Sequence, residues 1–129
     1  MSDPVILKAR RGSSAFYSSS LVAPNGDALR GSQIDSIKAS ITHVRTGEVI
    51  NDRNGETDLF NSDIFVDESG HLTWELEPDD NDCLTDSDPE SHYVVLAIAW
   101  GGTRLHYHVF QVDVENPAAM RLPTPPVTP

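Results

Sequence analysis

The sequence is poor in several residue classes that mark common protein types. Its 129 residues include one cysteine, Cys83, which excludes an intramolecular disulfide and disfavours a cysteine-based zinc site. Basic residues are also few, because nine Lys and Arg stand against twenty Asp and Glu, for a formal net charge of -11. Nucleic acids and anionic membranes both attract positive protein surfaces, so we expect neither to be a partner.

Long apolar runs and catalytic signatures are missing as well. No stretch approaches the eighteen apolar residues of a membrane span, and the apolar run that follows Pro4 is too short for a secretory signal. The motifs GxSxG, HExxH, GxGxxG and the Walker loop do not occur. We therefore expect one cytoplasmically made domain that has no enzymatic activity and binds no cofactor. At this length a chain buries about two-thirds of its unfolded surface.

Apolar and polar residues alternate with period two along much of the chain, which is typical of half-buried β-strands. In the clearest case Leu72, Trp74 and Leu76 share one face. The pattern predicts an all-β fold, a β-sandwich of about seven short strands. We expect these strands at Val5–Ala9, Ala15–Val22, Ile37–Thr42, Ile64–Val66, Leu72–Glu77, Tyr93–Trp100 and Leu105–Val114.

The run Tyr93–Trp100 is apolar at every position, which indicates a central strand covered on both sides. A two-glycine hairpin, Gly101 and Gly102, is expected to join it to the next strand. The only helix-like segment, residues 78–84, begins with proline and is at most a turn or two long.

The sequence divides into a sandwich domain, residues 1–115, and an extended C-terminal arm, residues 116–129. The arm holds five of the nine prolines, a composition typical of an extended backbone outside the core. Charge is uneven within the domain: residues 52–90 contain fourteen acidic residues and one basic residue, Arg53, whereas residues 1–30 contain four basic and two acidic residues. We expect an acidic flank and a mildly basic edge. Such a surface either serves solubility alone or binds a basic partner or a second copy.

Two groups of residues could in principle hold a metal ion. His106 and His108 lie two apart on a predicted strand, so both imidazoles project from one face, and His92 or a carboxylate could supply a third ligand. The alternative is aromatic packing on a sheet surface. The loop Asp79–Glu90 is rich in oxygen ligands suited to calcium but lacks the EF-hand pattern, and such a loop is more often a helix start whose carboxylates favour the positive end of the helix dipole. Cys83 in this loop is expected to be a small buried hydrophobe.

One part of the chain resembles a known family. A strand after a glycine turn, residues 70–76 (GHLTWEL), leads into a polar hook that ends in leucine, residues 77–84 (EPDDNDCL). The strand 93–100 (YVVLAIAW), a glycine hairpin and the closing strand 107–114 (YHVFQVDV) complete the pattern. It resembles the Ig-like β-sandwich domains of tailed-phage structural proteins, among them small proteins of the head and head–tail region and the N-terminal domain of baseplate upper proteins.

This resemblance implies a non-enzymatic virion structural protein, made in the host cytoplasm, that decorates the capsid or sits at the neck or tail. Its partners would be other virion proteins and further copies of itself. The residues expected to bind these partners lie at the basic edge and in the arm: Arg10, Arg11, Pro117, Arg121, Pro123, Pro125 and Pro126. The alternative is a host-surface or carbohydrate-binding module that presents Trp74, Trp100, Tyr17 and Tyr107 to sugars, although the position of Trp74 on the apolar face favours the core.

Overall fold

The computed structural model describes residues 5–117, which form eight strands and two single-turn 3-10 helices. The helices cover Gly31–Gln33 and Pro78–Asn81. The strands, numbered in chain order, are β1 (Ile6–Arg10), β2 (Ala15–Ser20), β3 (Ile34–His43), β4 (Val49–Asp58), β5 (Ile64–Val66), β6 (His71–Leu76), β7 (Glu90–Trp100) and β8 (Arg104–Glu115). The all-β prediction is confirmed.

Two sheets face each other in a sandwich. The large sheet has the order β1-β8-β7-β3-β4, and the small sheet has the order β2-β6-β5. An Ig-type sandwich divides its strands in the same way. There the strands B, E and D lie in one sheet, as β2, β6 and β5 do here, and the strands C, F and G lie in the other, as β3, β7 and β8 do. The pairs are antiparallel with one exception, because β1 runs parallel to β8, with Ile6 opposite Gln111.

Strand β4 is the element that the sequence did not predict. It has only one buried residue, Ile50, and it pairs only with β3, at the edge of the large sheet. Its pairing with β3 shifts register twice, and Asn51 and Asp52 have positive φ. An irregular edge strand with a polar sequence lacks the alternation by which strands are recognised. The count is therefore eight strands where about seven were expected.

The core lies where the inner faces of the two sheets meet. Trp74 on β6 is buried, as its alternation predicted, and contacts Phe110 of β8 edge to face, with ring centroids 6.3 Å apart. Tyr17 of β2 also contacts Phe110. The two rings are stacked nearly parallel, with their centroids 3.7 Å apart. These aromatic pairs connect the sheets and add to the stability that burial of their area provides.

The predicted glycine turn and the predicted helix-like segment are both present, and the helix-like segment is shorter than expected. Gly101 and Gly102 form the β7–β8 hairpin with φ of 60° and 83°, a conformation that costs glycine little and other residues considerably more. The helix-like segment is a single 3-10 turn, Pro78–Asn81. At the other end of β8 the packing extends past the expected domain boundary, since Asn116 is buried and its side-chain amide donates to the carbonyls of Thr85 and Ser87.

Candidate interaction surface

The outer face of the large sheet carries an apolar strip along β7 and β8. In register across the two strands lie the pairs Val95–Val109, Ala97–Tyr107 and Ala99–Leu105. Tyr107 is 60% exposed and Leu105 is 55% exposed, while the smaller side chains between them are half-buried. We call these six residues the apolar strip. Large exposed apolar patches are unusual on monomeric proteins and mark sites of association.

Charge is sparse around the apolar strip. The adjacent strand β3 borders it with Ser36, Lys38 and Ser40, of which only Lys38 is charged. The prediction that Tyr93–Trp100 is covered on both sides is therefore wrong: β7 is central within its sheet, but among residues 5–117 no element covers its outer face. The apolar residues on that face form a surface, and their sequence pattern cannot distinguish a surface from a second core.

Two arginines of the predicted basic edge pair with acidic residues of the same chain. Arg10 lies 3.3 Å from the Glu115 carboxylate, and Arg11 lies 3.6 Å from Asp82 and donates to the side-chain oxygen of Asn116. Pro117 follows directly and is half-buried. The remaining predicted partner-binding residues are outside the described part of the chain: Arg121, Pro123, Pro125 and Pro126.

The two histidines of β8 share one face, as predicted, and this face is the inner one. His106 and His108 lie opposite Ile98 and Leu96 of β7. His108 Nε2 is 2.6 Å from the Tyr17 hydroxyl oxygen, and burial together with His106 lowers the pKa of His108. Residues 5–117 contain no group of three or more His, Cys, Asp or Glu side chains arranged to hold a metal ion. The contacts favour the packing interpretation.

The acidic loop Asp79–Glu90 directs two of its carboxylates inward. Asp80 is buried and accepts hydrogen bonds from Arg53 Nε at 2.9 Å and from the side-chain amide of Asn51 at 2.7 Å. These bonds tie the hook to β4. Cys83 is buried as expected, and burial, together with the charge of Glu90, raises its thiol pKa to about 11. A thiol with such a pKa is almost entirely protonated at neutral pH and is a poor nucleophile.

Glu90, at the end of this loop, is the centre of a buried polar cluster. Its Oε2 lies 2.6 Å from His92 Nε2, and its Oε1 lies 3.6 Å from His43 Nε2. His43 Nδ1 accepts hydrogen bonds from the amides of Arg45 and Thr46, so the His43 proton is on Nε2 and points toward the carboxylate. Among the described residues, His92 Nδ1 has no hydrogen-bond partner, which fits a neutral ring that donates through Nε2.

Burial dominates the titration of His92. It lowers the pKa of this histidine below the ordinary value, although the hydrogen bond to Glu90 acts in the opposite direction. A neutral His92 is therefore the form present at pH 7. Glu90, His92 and His43 are all buried, and Glu90 accepts the hydrogen bond of His92, which indicates a structural role at this end of the sandwich. Among residues 5–117, His43 Nε2 and His92 Nδ1 have no hydrogen-bond partner.

The aromatic residues proposed for sugar binding are mostly inaccessible. Trp74, Trp100 and Tyr17 are buried, so the expectation that Trp100 and Tyr17 present their rings to a ligand is wrong. Both face inward because alternation along β7 and β2 places them on the core side. Tyr107 is exposed, and it belongs to the apolar strip.

A second aromatic surface was not predicted from the sequence. Phe16 of β2 and Phe65 of β5 stand on the outer face of the small sheet, 73% and 49% exposed. They flank the outward-facing Thr73 and Glu75 of the central strand β6. Together they form an open trough of about 470 Å³. Only the strand order β2-β6-β5 brings two phenylalanines 49 positions apart to one surface, so no local pattern could have revealed it.

Comparison with known proteins gives no relative from which a role could be transferred. No protein-family model matches the chain, and neither a curated protein nor a solved structure is significantly similar to it. Among residues 5–117 no helix is long and apolar enough to cross a membrane.

Proposed function

We propose that the protein is a non-enzymatic structural subunit that associates with further copies of itself through the apolar strip of the large sheet. The observation that carries the proposal is the continuity of this strip: three cross-strand pairs present six apolar side chains with no charged residue between them. Association through such a face removes apolar surface from water, and this burial stabilises the complex by about 25 cal/mol for each Å² buried. The small side chains of Ser36 and Ser40, beside the apolar strip, also allow a second copy to approach the sheet closely.

The setting that we propose for this assembly is the virion of a tailed phage or prophage, on the capsid or near the neck or tail. Its support is the resemblance of residues 70–114 to the phage domains, together with the sandwich fold. Copurification with particles tests it directly. Hundreds of copies per particle are expected for a capsid decoration protein and six or twelve for a neck or tail component; a particle fraction that lacks the protein would contradict the proposal.

Placing a charge within the apolar strip should weaken self-association. Tyr107→Lys puts an ammonium group in the middle of the strip, where burial against a second copy leaves it without a partner, and we expect at least about a tenfold increase in the dissociation constant. Sedimentation velocity over a range of protein concentrations measures this constant.

The matched control is Ser18→Lys, which adds the same charge to the outer face of the small sheet, where Ser18 is exposed. It should leave the dissociation constant unchanged within about twofold, since the only difference it introduces is one added positive charge on a protein of net charge -11, which weakens the repulsion between copies slightly. Equal effects of the two substitutions, or a wild-type protein that remains monomeric at high concentration, would contradict a role for the apolar strip.

A further inference from the structure

The trough on the small sheet has the form of a groove for an extended chain. Phe16 and Phe65 belong to the two edge strands, so their rings stand on opposite sides of β6. Between them the floor is made by Thr73 and Glu75, and at one end the groove is bounded by Pro78. Neighbouring strands lie about 4.8 Å apart, which makes the space between the two aromatic strands about 10 Å wide. An extended polypeptide fits a groove of this width.

The charge of the groove is negative. Glu75 forms no ion pair with any of residues 5–117, and Asp63 and Glu77 share a single cation, Arg53, at 3.5 and 3.7 Å. A ligand that complements this surface has apolar rings for the phenylalanines and a positive charge for Glu75. Proline-rich segments in the polyproline II conformation bind aromatic-lined grooves in this way, with little loss of conformational entropy.

The chain itself contains a segment with this chemistry. Residues 121–126 have the sequence RLPTPP, in which one arginine precedes three prolines. Apart from Arg121, no Lys or Arg occurs after Arg104. The segment combines one cation with the apolar rings of its prolines. The groove offers the carboxylate of Glu75, which is unpaired among residues 5–117, between two aromatic rings.

A surface path leads from the end of β8 to the groove. A second depression, of about 340 Å³, is lined by Glu115 and by Lys8 and Arg10 of β1, and it shares Ser14 and Phe16 with the trough. Glu115 is two residues before Pro117, where the described chain ends. A stretch of four residues in the polyproline II conformation spans about 12 Å, and a stretch of twelve, the length of residues 118–129, spans about 37 Å.

We propose that the groove between Phe16 and Phe65 binds residues Arg121–Pro126 of the same chain, with the Arg121 guanidinium paired to Glu75. The short connection gives the segment an effective local concentration on the order of millimolar, which favours its own groove over that of a second copy. This inference does not depend on association through the apolar strip.

Limited trypsin digestion of the full chain tests the proposal, because trypsin cleaves the Arg121–Leu122 bond only when it is accessible. We expect this bond to be cut at least about tenfold faster in Phe65→Ser and in Glu75→Lys than in the wild type, at every protein concentration. The bond after Arg45, in the exposed β3–β4 turn, is the internal reference. The control variant Tyr93→Ser removes a similarly exposed ring, 43% against 49% for Phe65, from the other sheet and should not change the rate.

Hydroxyl-radical footprinting of the wild type gives a second measurement that needs no substitution. Oxidation of Phe16 and Phe65 should be severalfold greater in a chain truncated after Arg121 than in the full chain, while oxidation of Tyr107 stays constant. Equal cleavage rates in wild type and Phe65→Ser, or unchanged oxidation of the two phenylalanines, would overturn the proposal. Protection that appears only at raised protein concentration would assign the groove to the segment of a second copy and overturn the assignment to the same chain.

Discussion

Replacing Glu90 with glutamine is expected to lower the free energy of unfolding by about 3 kcal/mol at pH 7. The Glu90 side chain is fully buried, and its carboxylate accepts hydrogen bonds from the amides of Leu84 and Thr85, from the Thr85 hydroxyl and from His92 Nε2. Glutamine has the same shape, but its NH2 group replaces one acceptor oxygen by a donor. At least one of these buried N–H or O–H groups then loses its acceptor.

The same substitution should change how stability depends on pH. Burial alone would raise the pKa of Glu90, but the hydrogen bonds from Thr85, His92 and Leu84 outweigh it and lower the pKa from 4.5 to about 2. Because the folded-state value lies below the unfolded-state value, the carboxylate stabilises the fold fully above about pH 5. This contribution is lost as the pH falls from about 4.5 to about 2. The stabilities of Glu90→Gln and wild type should therefore converge toward pH 2.

Urea denaturation at a series of pH values measures both effects. Glu115→Gln is the matched control, because Glu115 is half-exposed and pairs with Arg10 on the surface, and an exposed pair contributes at most about 1 kcal/mol. A stability loss below about 1 kcal/mol in Glu90→Gln, or a loss that is the same at pH 7 and pH 3, would contradict the role assigned to the buried carboxylate.

Much of the fold could be predicted from the sequence because alternation is a local signal. Strand β5 was placed at its observed bounds, and the inward positions of β6, Leu72, Trp74 and Leu76, are the buried ones. Strand β4 was not predicted because an edge strand with one buried residue has no alternating pattern. The parallel pairing of β1 with β8 is likewise a property of how the sheets close, and sequence periodicity does not contain it.

The candidate sites were predictable to a smaller extent. The apolar run Tyr93–Trp100 correctly predicted a strand that is central in its sheet, but the expectation that its outer face is covered was wrong, because the run of apolar residues does not show what lies over that face. The groove of Phe16 and Phe65 depends on the same long-range information. The acidic span 52–90 has also proved to be heterogeneous: Asp80 and Glu90 serve internal contacts, while Glu75 remains free among residues 5–117 and faces the groove.

Replacing Asp80 with alanine is expected to lower the free energy of unfolding by about 3 kcal/mol, because Asp80 joins the hook to the irregular strand β4. Its carboxylate accepts hydrogen bonds from Arg53 Nε, from the Asn51 amide and from the backbone amide of Glu77, at 2.9, 2.7 and 2.8 Å. Burial tends to lower the pKa of Arg53, but the hydrogen bond and charge of Asp80 raise it above its ordinary value. Alanine would leave the Arg53 guanidinium, which is only 15% exposed, with the two weaker partners Asp63 and Glu77.

Asp80→Ala should destabilise strand β4 locally, in addition to lowering the global free energy of unfolding. Since β4 pairs with β3 alone and does so through two register shifts, the contacts of Asn51 and Arg53 with Asp80 restrict its opening. Amide hydrogen exchange in Asp80→Ala should therefore accelerate at least about tenfold in β4 and remain close to wild type in the central strand β7 after correction for global stability. Asp79→Ala is the matched control, because Asp79 lies in the same turn, is exposed and forms no side-chain hydrogen bond with residues 5–117. Equal exchange in the two variants would show that β4 is held by its pairing with β3 and not by the buried carboxylate.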